Sequence, residues 1–314
     1  MVGKLSDDTL MSGSRIPVLY SWLIAREAHP YSTPNDELRR SLQVVDGEYV
    51  HDDTHIEKAY CGNLFEATIA KNVCEVLQLD EPELSPPVFT ANDGSWQCSM
   101  DAFVQVPQPI IVFASETVEI EGGLSSLAID GPIPIEVKTT ETPFTGETPL
   151  WRGPVQLQMQ MMAVDAKYGI VATVHRGNHR HYKIYKCDPP MQQAIGDLCL
   201  EFRDRVQSRL LYMPVNIDDC AKTHPGGDTD PVELPGLTDD VEKLVSLRQN
   251  VQDAQDEIDK LQAKIMQAMQ NKEVAQCGQY QVKWPMRTYK AQPEKVTPAK
   301  EARTIRLRTL QIKS

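Results

Sequence analysis

The sequence predicts an α/β chain that ends in a long, separate helix. Three observations carry that prediction. Up to about residue 80, apolar residues recur every three to four positions; from Trp96 to Thr140 they alternate with a period of two. From Leu244 to Ala268 strict 3–4 spacing returns for about four heptads. At 314 residues the chain suffices for one large domain with an appendage.

The elements follow in order. "SGSRIPVLYSWLIAREA" reads as a helix started by a serine cap, "HPYSTPND" as a turn, and a second short helix comes next. "CGNLFEATIAKNVCEVLQL" (61–79) is helical, with Leu64, Ala67, Val73, Val76 and Leu77 on one stripe, and prolines at 82, 86 and 87 end it. "WQCSMDAFVQV" (96–106), "IIVFASETVEI" and "LAIDGPIPIEVKTT" read as three strands. "LWRGPVQLQMQMMAVDAKY" (150–168) is a helix with Pro154 near its first turn. "GIVATVHR" and "HYKIYKC" form a hairpin turning at "GNH", and "PMQQAIGDLCLEFRDRVQSRLL" is an amphipathic helix. This divides the chain into a domain over 1–215, a Pro/Gly/Asp-rich linker over 216–237 and a heptad helix over 238–272. A basic segment, 273–314, is predicted to pack back on the domain. The heptad helix either pairs with another helix as a coiled-coil arm or lies on the main domain.

Composition narrows the function classes. The apolar fraction of 41% and charged fraction of 24% are those of a soluble globular protein. No apolar run approaches the ~20 residues that span a bilayer, and the N-terminus lacks the build of a signal peptide. The seven cysteines show no CxxC pair, which predicts reduced thiols in a cytosol and no zinc or iron–sulfur site built from cysteine. The net charge of −12 conceals two basic blocks. Residues 166–187 hold Lys167, Arg176, Arg180, Lys183 and Lys186, three histidines and no acid; residues 283–314 hold nine Lys or Arg against two Glu. Each block either faces phosphates or is a solvated face balancing acidic neighbours.

The chemistry centres on "PIPIEVKTT" (132–140). Side chains alternate along a strand, so Glu136 and Lys138 share a face while Ile135 and Val137 point to a core. Alone, such a pair is usually a surface ion pair. Asp101, set among Met100, Ala102 and Phe103, is a carboxylate that is costly to bury unless paired or metal-bound. Glu66 lies beside the apolar stripe of its helix. Hard oxygen ligands of this kind suit Mg²⁺ or Mn²⁺, with Lys138 as a compact charge beside a nucleophilic water. Gln156 and Gln160, four apart on one helix face, reach towards the same pocket; Gln158, between them, is expected to face solvent. His175, His179, His181 and Cys187 match no common zinc pattern and read as polar hairpin residues. Trp151 is expected to be a core or interface anchor, and Trp96 to be buried or to stack on a base.

Glu in a helix, then Asp, then Glu-x-Lys, then a helix with Gln-x-Gln-x-Gln resembles the PD-(D/E)XK nuclease superfamily. Within it, the chain is similar to the phage lambda exonuclease and YqaJ-type viral recombinase family: "SGSRIP", "GNLFE", "SMDAFV", "IEVKT" and "VQLQMQMMAV" follow in that family's order over roughly residues 10–190. The resemblance implies a restriction-endonuclease-like mixed central sheet flanked by helices. It also implies a metal-dependent exonuclease that digests one strand of duplex DNA from its 5′ end. Asp101, Glu136 and the Val137 backbone carbonyl would hold one Mg²⁺ (or Mn²⁺), Glu66 would serve a second, Lys138 would position the attacking water, and Gln156 and Gln160 would support the site. Ser14, with Arg15, would grip the terminal 5′-phosphate, or Ser14 is a helix cap only; Arg176, Arg180 and Lys183 would face DNA. Family members form trimeric rings on double-stranded DNA ends and pass their product to a single-strand annealing protein, in a bacterial or phage-infected cytoplasm. The alternatives are an endonuclease of the same superfamily and a non-catalytic DNA-end scaffold. The family's arginine before the N-terminal serine has no clear match; Lys4 is the nearest cation.

Overall fold

The computed structural model describes residues 8–49, 56–141, 148–226 and 231–286, with side chains of the third helix described from Leu64 onward. Lys4, most of the basic C-terminal block and the predicted packing of 287–314 lie outside the described residues. Two compact units divide at Thr223 and His224.

In the first unit, β1 (Met11–Ser12) leads into α1 (Ile16–Leu19), which continues as a π-helical turn over Tyr20–Ala25. The residue that starts this helix is Arg15, with no side-chain cap, rather than a serine. The helix α2 (Pro34–Val45) is closed by the reciprocal Thr33–Asp36 capping box, with Pro34 in the first turn where its missing N–H costs nothing. Then come α3 (Ile56–Leu77), β2 (Glu83–Leu84), β3 (Phe89–Thr90), β4 (Trp96–Cys98), β5 (Ala102–Phe113), β6 (Val118–Ile120) and β7 (Ser126–Thr140). The helix α4 (Pro154–Val164) precedes the hairpin β8 (Tyr168–His175) and β9 (His179–Lys186), and α5 (Pro189–Ser208) starts at its Asp188 cap.

Six strands form one mixed sheet in the order β2-β5-β7-β8-β9-β6. β7 and β8 run parallel, β5 pairs antiparallel with β7, and β8 antiparallel with β9. β1, β4 and β3 make a small separate sheet. The sequence reads 96–106 as one strand; the structure breaks it at Ser99–Asp101, assigning its halves to different sheets. β5 then runs on through Pro107 and Pro109, and its register with β7 shifts between Val106 and Ile110. Prolines have no N–H for the ladder, so the pairing slips where they sit.

Alternation along the strands sets both layers. Ile133, Ile135 and Val137 of β7 join Ile69, Val73 and Leu77 of α3 in one core. Glu136 and Lys138 therefore face the other way, towards α4. There Leu157 and Met161 pack on Val171 and Tyr185, and a third cluster joins α1, α4 and α5 through Met159, Ile16 and Phe202.

The predicted linker is partly structured. α6 (Ile217–Thr223) lies inside it, and buried Asp219 accepts hydrogen bonds from Asn35 (2.9 Å), Arg39 (3.2 Å) and the Val215 N–H (3.2 Å). The first unit thus extends beyond the predicted boundary at 215. The second unit contains a 3₁₀ turn (Pro235–Leu237), α7 (Thr238–Met269) and a hairpin, β10 (Val274–Cys277) and β11 (Tyr280–Lys283). Among the described residues no helix is long and apolar enough to cross a membrane.

Candidate active site

The parallel β7–β8 pair and α4 build the site. α4 seats flush on the sheet because two glycines allow it. A Cβ on Gly153, whose φ is +115°, would stand 2.9 Å from Val171 Cγ1; one on Gly169 would stand 2.9 Å from Leu157 Cδ1. With α4 that close, its glutamines reach the polar face of β7.

Glu136 is buried, and both its oxygens are engaged: Oε1 accepts from Lys138 Nζ, and Oε2 from Gln160 Nε2 at 2.5 Å. Lys138 Nζ also donates to Gln156 Oε1 at 3.0 Å. Gln160 Nε2 donates besides to the Ser99 carbonyl at 3.1 Å, while its Oε1 is buried without a partner among the described residues. Asp101 comes in from the neighbouring strand: Ala102 pairs with Ile135, and Asp101 Oδ2 accepts the Val137 N–H at 2.8 Å. The structure thus records Val137 through its N–H, a partner for Asp101 that sequence reasoning missed. Ser99, whose carbonyl orients Gln160, was also missed; a backbone acceptor leaves no residue-type signal.

The electrostatics are those of crowded negative charge. Burial, and then the charge of Glu136, raise the Asp101 carboxyl well above its ordinary 3.8, against the opposing Lys138 and Val137 N–H. Burial and Glu136 likewise raise Glu66, with Lys138 opposing. Burial pushes the Lys138 ammonium down, but Glu136, Asp101 and Glu66 outweigh it and its pKa is raised. Lys138 is therefore held as a cation.

Whether a divalent cation fits can be judged from these groups. Among the described residues no three His, Cys, Asp or Glu side chains already close around one point. The donor chemistry nevertheless fits: hard carboxylate oxygens of Asp101 and Glu136, with Glu66 near enough to feel them, carry an excess of negative charge that a divalent ion would relieve.

The other expected residues divide. Ser14 is exposed, its Oγ 3.3 Å from Ser12 Oγ, on a turn that lies against the site: a Cβ on Gly13 would stand 3.6 Å from Gln156 Cγ. Arg15 is buried and serves the framework. Its guanidinium binds Glu37 Oε2 (2.7 Å), the Glu37 and Asp8 carbonyls (2.5 and 2.8 Å) and Ser41 Oγ (2.9 Å), so it offers a phosphate nothing in this conformation. Gln158 is buried, not solvent-facing. It donates to the Lys186 carbonyl (2.7 Å) and accepts from the Asp188 N–H (3.0 Å) and Gln192 (3.1 Å), tying α4 to the start of α5.

The basic hairpin does not form one face, because strand side chains alternate. Lys183 is buried, paired with Glu119 at 2.6 Å and set over the Tyr185 ring. Arg180 is exposed and donates to Asn72 of α3 (2.7 Å). Arg176 is exposed at the turn and donates to the Glu141 carbonyl (3.1 Å). Trp151 is half-buried, its ring edge-on to His29 and Tyr31 (each 5.7 Å) and covered by Arg152, which reaches Thr140 Oγ1 at 3.0 Å.

No family model and no curated protein matches the chain. Among solved structures, it is similar to the alkaline exonuclease LHK-Exo from Laribacter hongkongensis, alone and in complex with dAMP. Each shows 10% identity and a TM-score of 0.41, covering 64% of this chain and 89% of that one. A structure of SSO0001 matches at 10% identity and a TM-score of 0.37, over 67% of this chain and 81% of that one. Likeness at this level does not carry an activity across.

Proposed function

We propose that this chain is a divalent-metal-dependent nuclease, acting as a 5′→3′ exonuclease on one strand of duplex DNA ends. The observation that carries the reading is the convergence of Asp101, Glu136, Lys138, Gln156 and Gln160 on the α4 side of β7. The ordered motifs of the sequence support it, and strand polarity rests on them alone.

Asp101 and Glu136 would hold a Mg²⁺ or Mn²⁺ ion, with Glu66 placed to serve a second. When bound, such an ion polarises the phosphoryl oxygen and acidifies a water. The protein's own residues do the rest. Lys138, fixed between Glu136 Oε1 and Gln156 Oε1, keeps its charge and directs it at the place where negative charge develops on the scissile phosphate. Its ammonium would orient water and steady the developing charge. Gln160 holds the Glu136 carboxylate by its second oxygen, so the carboxylate cannot rotate away. Ser14, exposed on the turn whose Gly13 lies against Gln156, would bind a terminal phosphate. The single-stranded product would pass to an annealing protein in phage-type recombination.

The test uses one linear duplex labelled at either end, with and without a 5′-phosphate, in Mg²⁺ or EDTA. Mononucleotides released from the 5′-phosphorylated end, only with metal, are the expected result. Internal fragments would replace the exonuclease by an endonuclease, and binding without cleavage would leave a DNA-end scaffold. Lys138→Ala should reduce cleavage by at least about 100-fold while leaving DNA affinity within a few-fold.

A further inference from the structure

Among the described residues of the second unit, nothing covers one long face of α7. α7 runs for 32 residues, about 48 Å, and most of its apolar positions stay open to solvent, Leu244 being half-buried and Met269 buried. Leu247 is 52% exposed, Val251 71%, Ile258 46%, Leu261 53% and Ile265 40%. They fall in one seam: Leu244, Val251, Ile258 and Ile265 at one heptad position, Leu247, Ala254, Leu261 and Ala268 at the other. The polar side is self-contained, with Gln249–Asp253, Gln252–Asp256 and Gln255–Asp259 hydrogen bonds of 2.8 Å each, four residues apart. A contiguous apolar stripe of this length, left in water, marks an interaction surface.

We infer that α7 pairs with α7 of a second copy of this chain as a two-stranded, antiparallel coiled coil. Between Leu247 and Ile265 the seam is two positions per heptad and no wider, its flanks there being Arg248, Asn250, Gln255, Glu257, Gln262 and Lys264; Val241 and Met269 flank it only at its ends. That width suits one partner helix, whereas larger bundles need apolar flanks. Half the lateral surface of a helix this long is on the order of 750 Å², close to the ~800 Å² each partner buries in a specific interface.

Volume fixes the direction. In a parallel, in-register pair Ala254 would meet Ala254 and Ala268 would meet Ala268, two thin layers, and Lys243 would lie beside Arg248 of the partner helix. Running antiparallel about a dyad at residue 256, every layer joins positions that add to 512. Ala268 then meets Leu244, Ala254 meets Ile258, Leu247 meets Ile265 and Val251 meets Leu261. Each alanine thus faces a large side chain. The one like-charge contact is Glu257 with its own copy. This pairing is independent of the nuclease reading and can fail or stand without it.

The test measures the mass of the full chain by light scattering from nanomolar to micromolar concentration. The expected result is twice 35.3 kDa, falling to monomer in Ile258→Glu/Leu261→Glu, whose substituted side chains are solvent-exposed in one copy and cannot disturb its own core. Oxidative cross-linking reads the direction against the wild-type baseline set by exposed Cys220 and Cys277. Leu244→Cys/Ala268→Cys should link two copies, and neither single variant should exceed the baseline. A monomer at all concentrations would overturn the proposal. So would a dimer or trimer unmoved by the glutamates, and self-linking by the single Leu244→Cys variant would overturn the antiparallel arrangement.

Discussion

Three glutamines of α4 lie within five residues and do three different things. Gln156 takes a hydrogen bond from Lys138, Gln160 clamps Glu136, and Gln158 faces neither. Residues two apart on a helix lie about 200° apart around its axis, so Gln158 meets the Lys186 carbonyl and Asp188 N–H instead. The roles separate by measurement. Gln160→Ala should lower the cleavage rate on folded protein about 10- to 100-fold, as loss of a residue that orients a ligand does. It should also lower Tm, since the buried Glu136 Oε2 and the Ser99 carbonyl lose their donor. Gln158→Ala leaves the part-buried Lys186 carbonyl and Asp188 N–H without their partner and should cost about 1–2 kcal/mol of stability, while the rate on folded protein stays near that of the wild type. Loss of cleavage at unchanged Tm in Gln158→Ala would move it into the site.

At the scale of elements, the site depends on how closely α4 approaches β8. Gly153→Ala meets Val171 at 2.9 Å and must hold φ near +115°, where a Cβ is strained. It should cost about 2–3 kcal/mol and reduce cleavage, because Gln156 and Gln160 ride on the displaced helix; a Tm within 1 °C of wild type would disprove the tight seating. Spacing along the sequence disclosed the elements that carry the chemistry. Period two put Glu136 and Lys138 on one face, and a four-residue step put Gln156 and Gln160 beside them. Tertiary choices stayed hidden. The helix expected to begin on a serine begins on Arg15, and that arginine is held by Glu37 and its neighbours, because a buried guanidinium making five hydrogen bonds carries no local sign. The split of 96–106 into two sheets comes where Asp101 takes the Val137 N–H, a partner 36 residues away. The Pro/Gly/Asp composition that marked 216–237 as a linker gave no notice of Asp219 closing α6 onto α2 through Asn35 and Arg39.

Across the whole molecule, the site works against the stability of the fold that holds it. Asp101 is folded into a place where burial and Glu136 disfavour its charge, and Glu66 shares that penalty. The sign follows from linkage. A carboxyl whose pKa is raised in the folded state stabilises that state when protonated, so its contribution is full below the ordinary 3.8 and is lost as pH rises through the raised value. Wherever the pH lies above that raised value, the metal-free protein carries an unrelieved charge, which two changes should relieve. Asn keeps an oxygen for the Val137 N–H and removes the charge, so Asp101→Asn should match or exceed the wild-type Tm in EDTA at pH 7.5. It should also lose the Asp101 share of the wild type's dependence on pH in the window above 3.8, keeping that of Glu66, and it should not cleave DNA. Mg²⁺ should raise the wild-type Tm, since a ligand of the folded state at 100 times its Kd adds about 2.7 kcal/mol; the Asn variant should show much less of that rise. Thermal melts of both proteins, with EDTA and with Mg²⁺, across pH 5–8 decide it. A variant less stable than wild type in EDTA would make Asp101 a structural residue, and an equal Mg²⁺ shift in both would place the ion elsewhere.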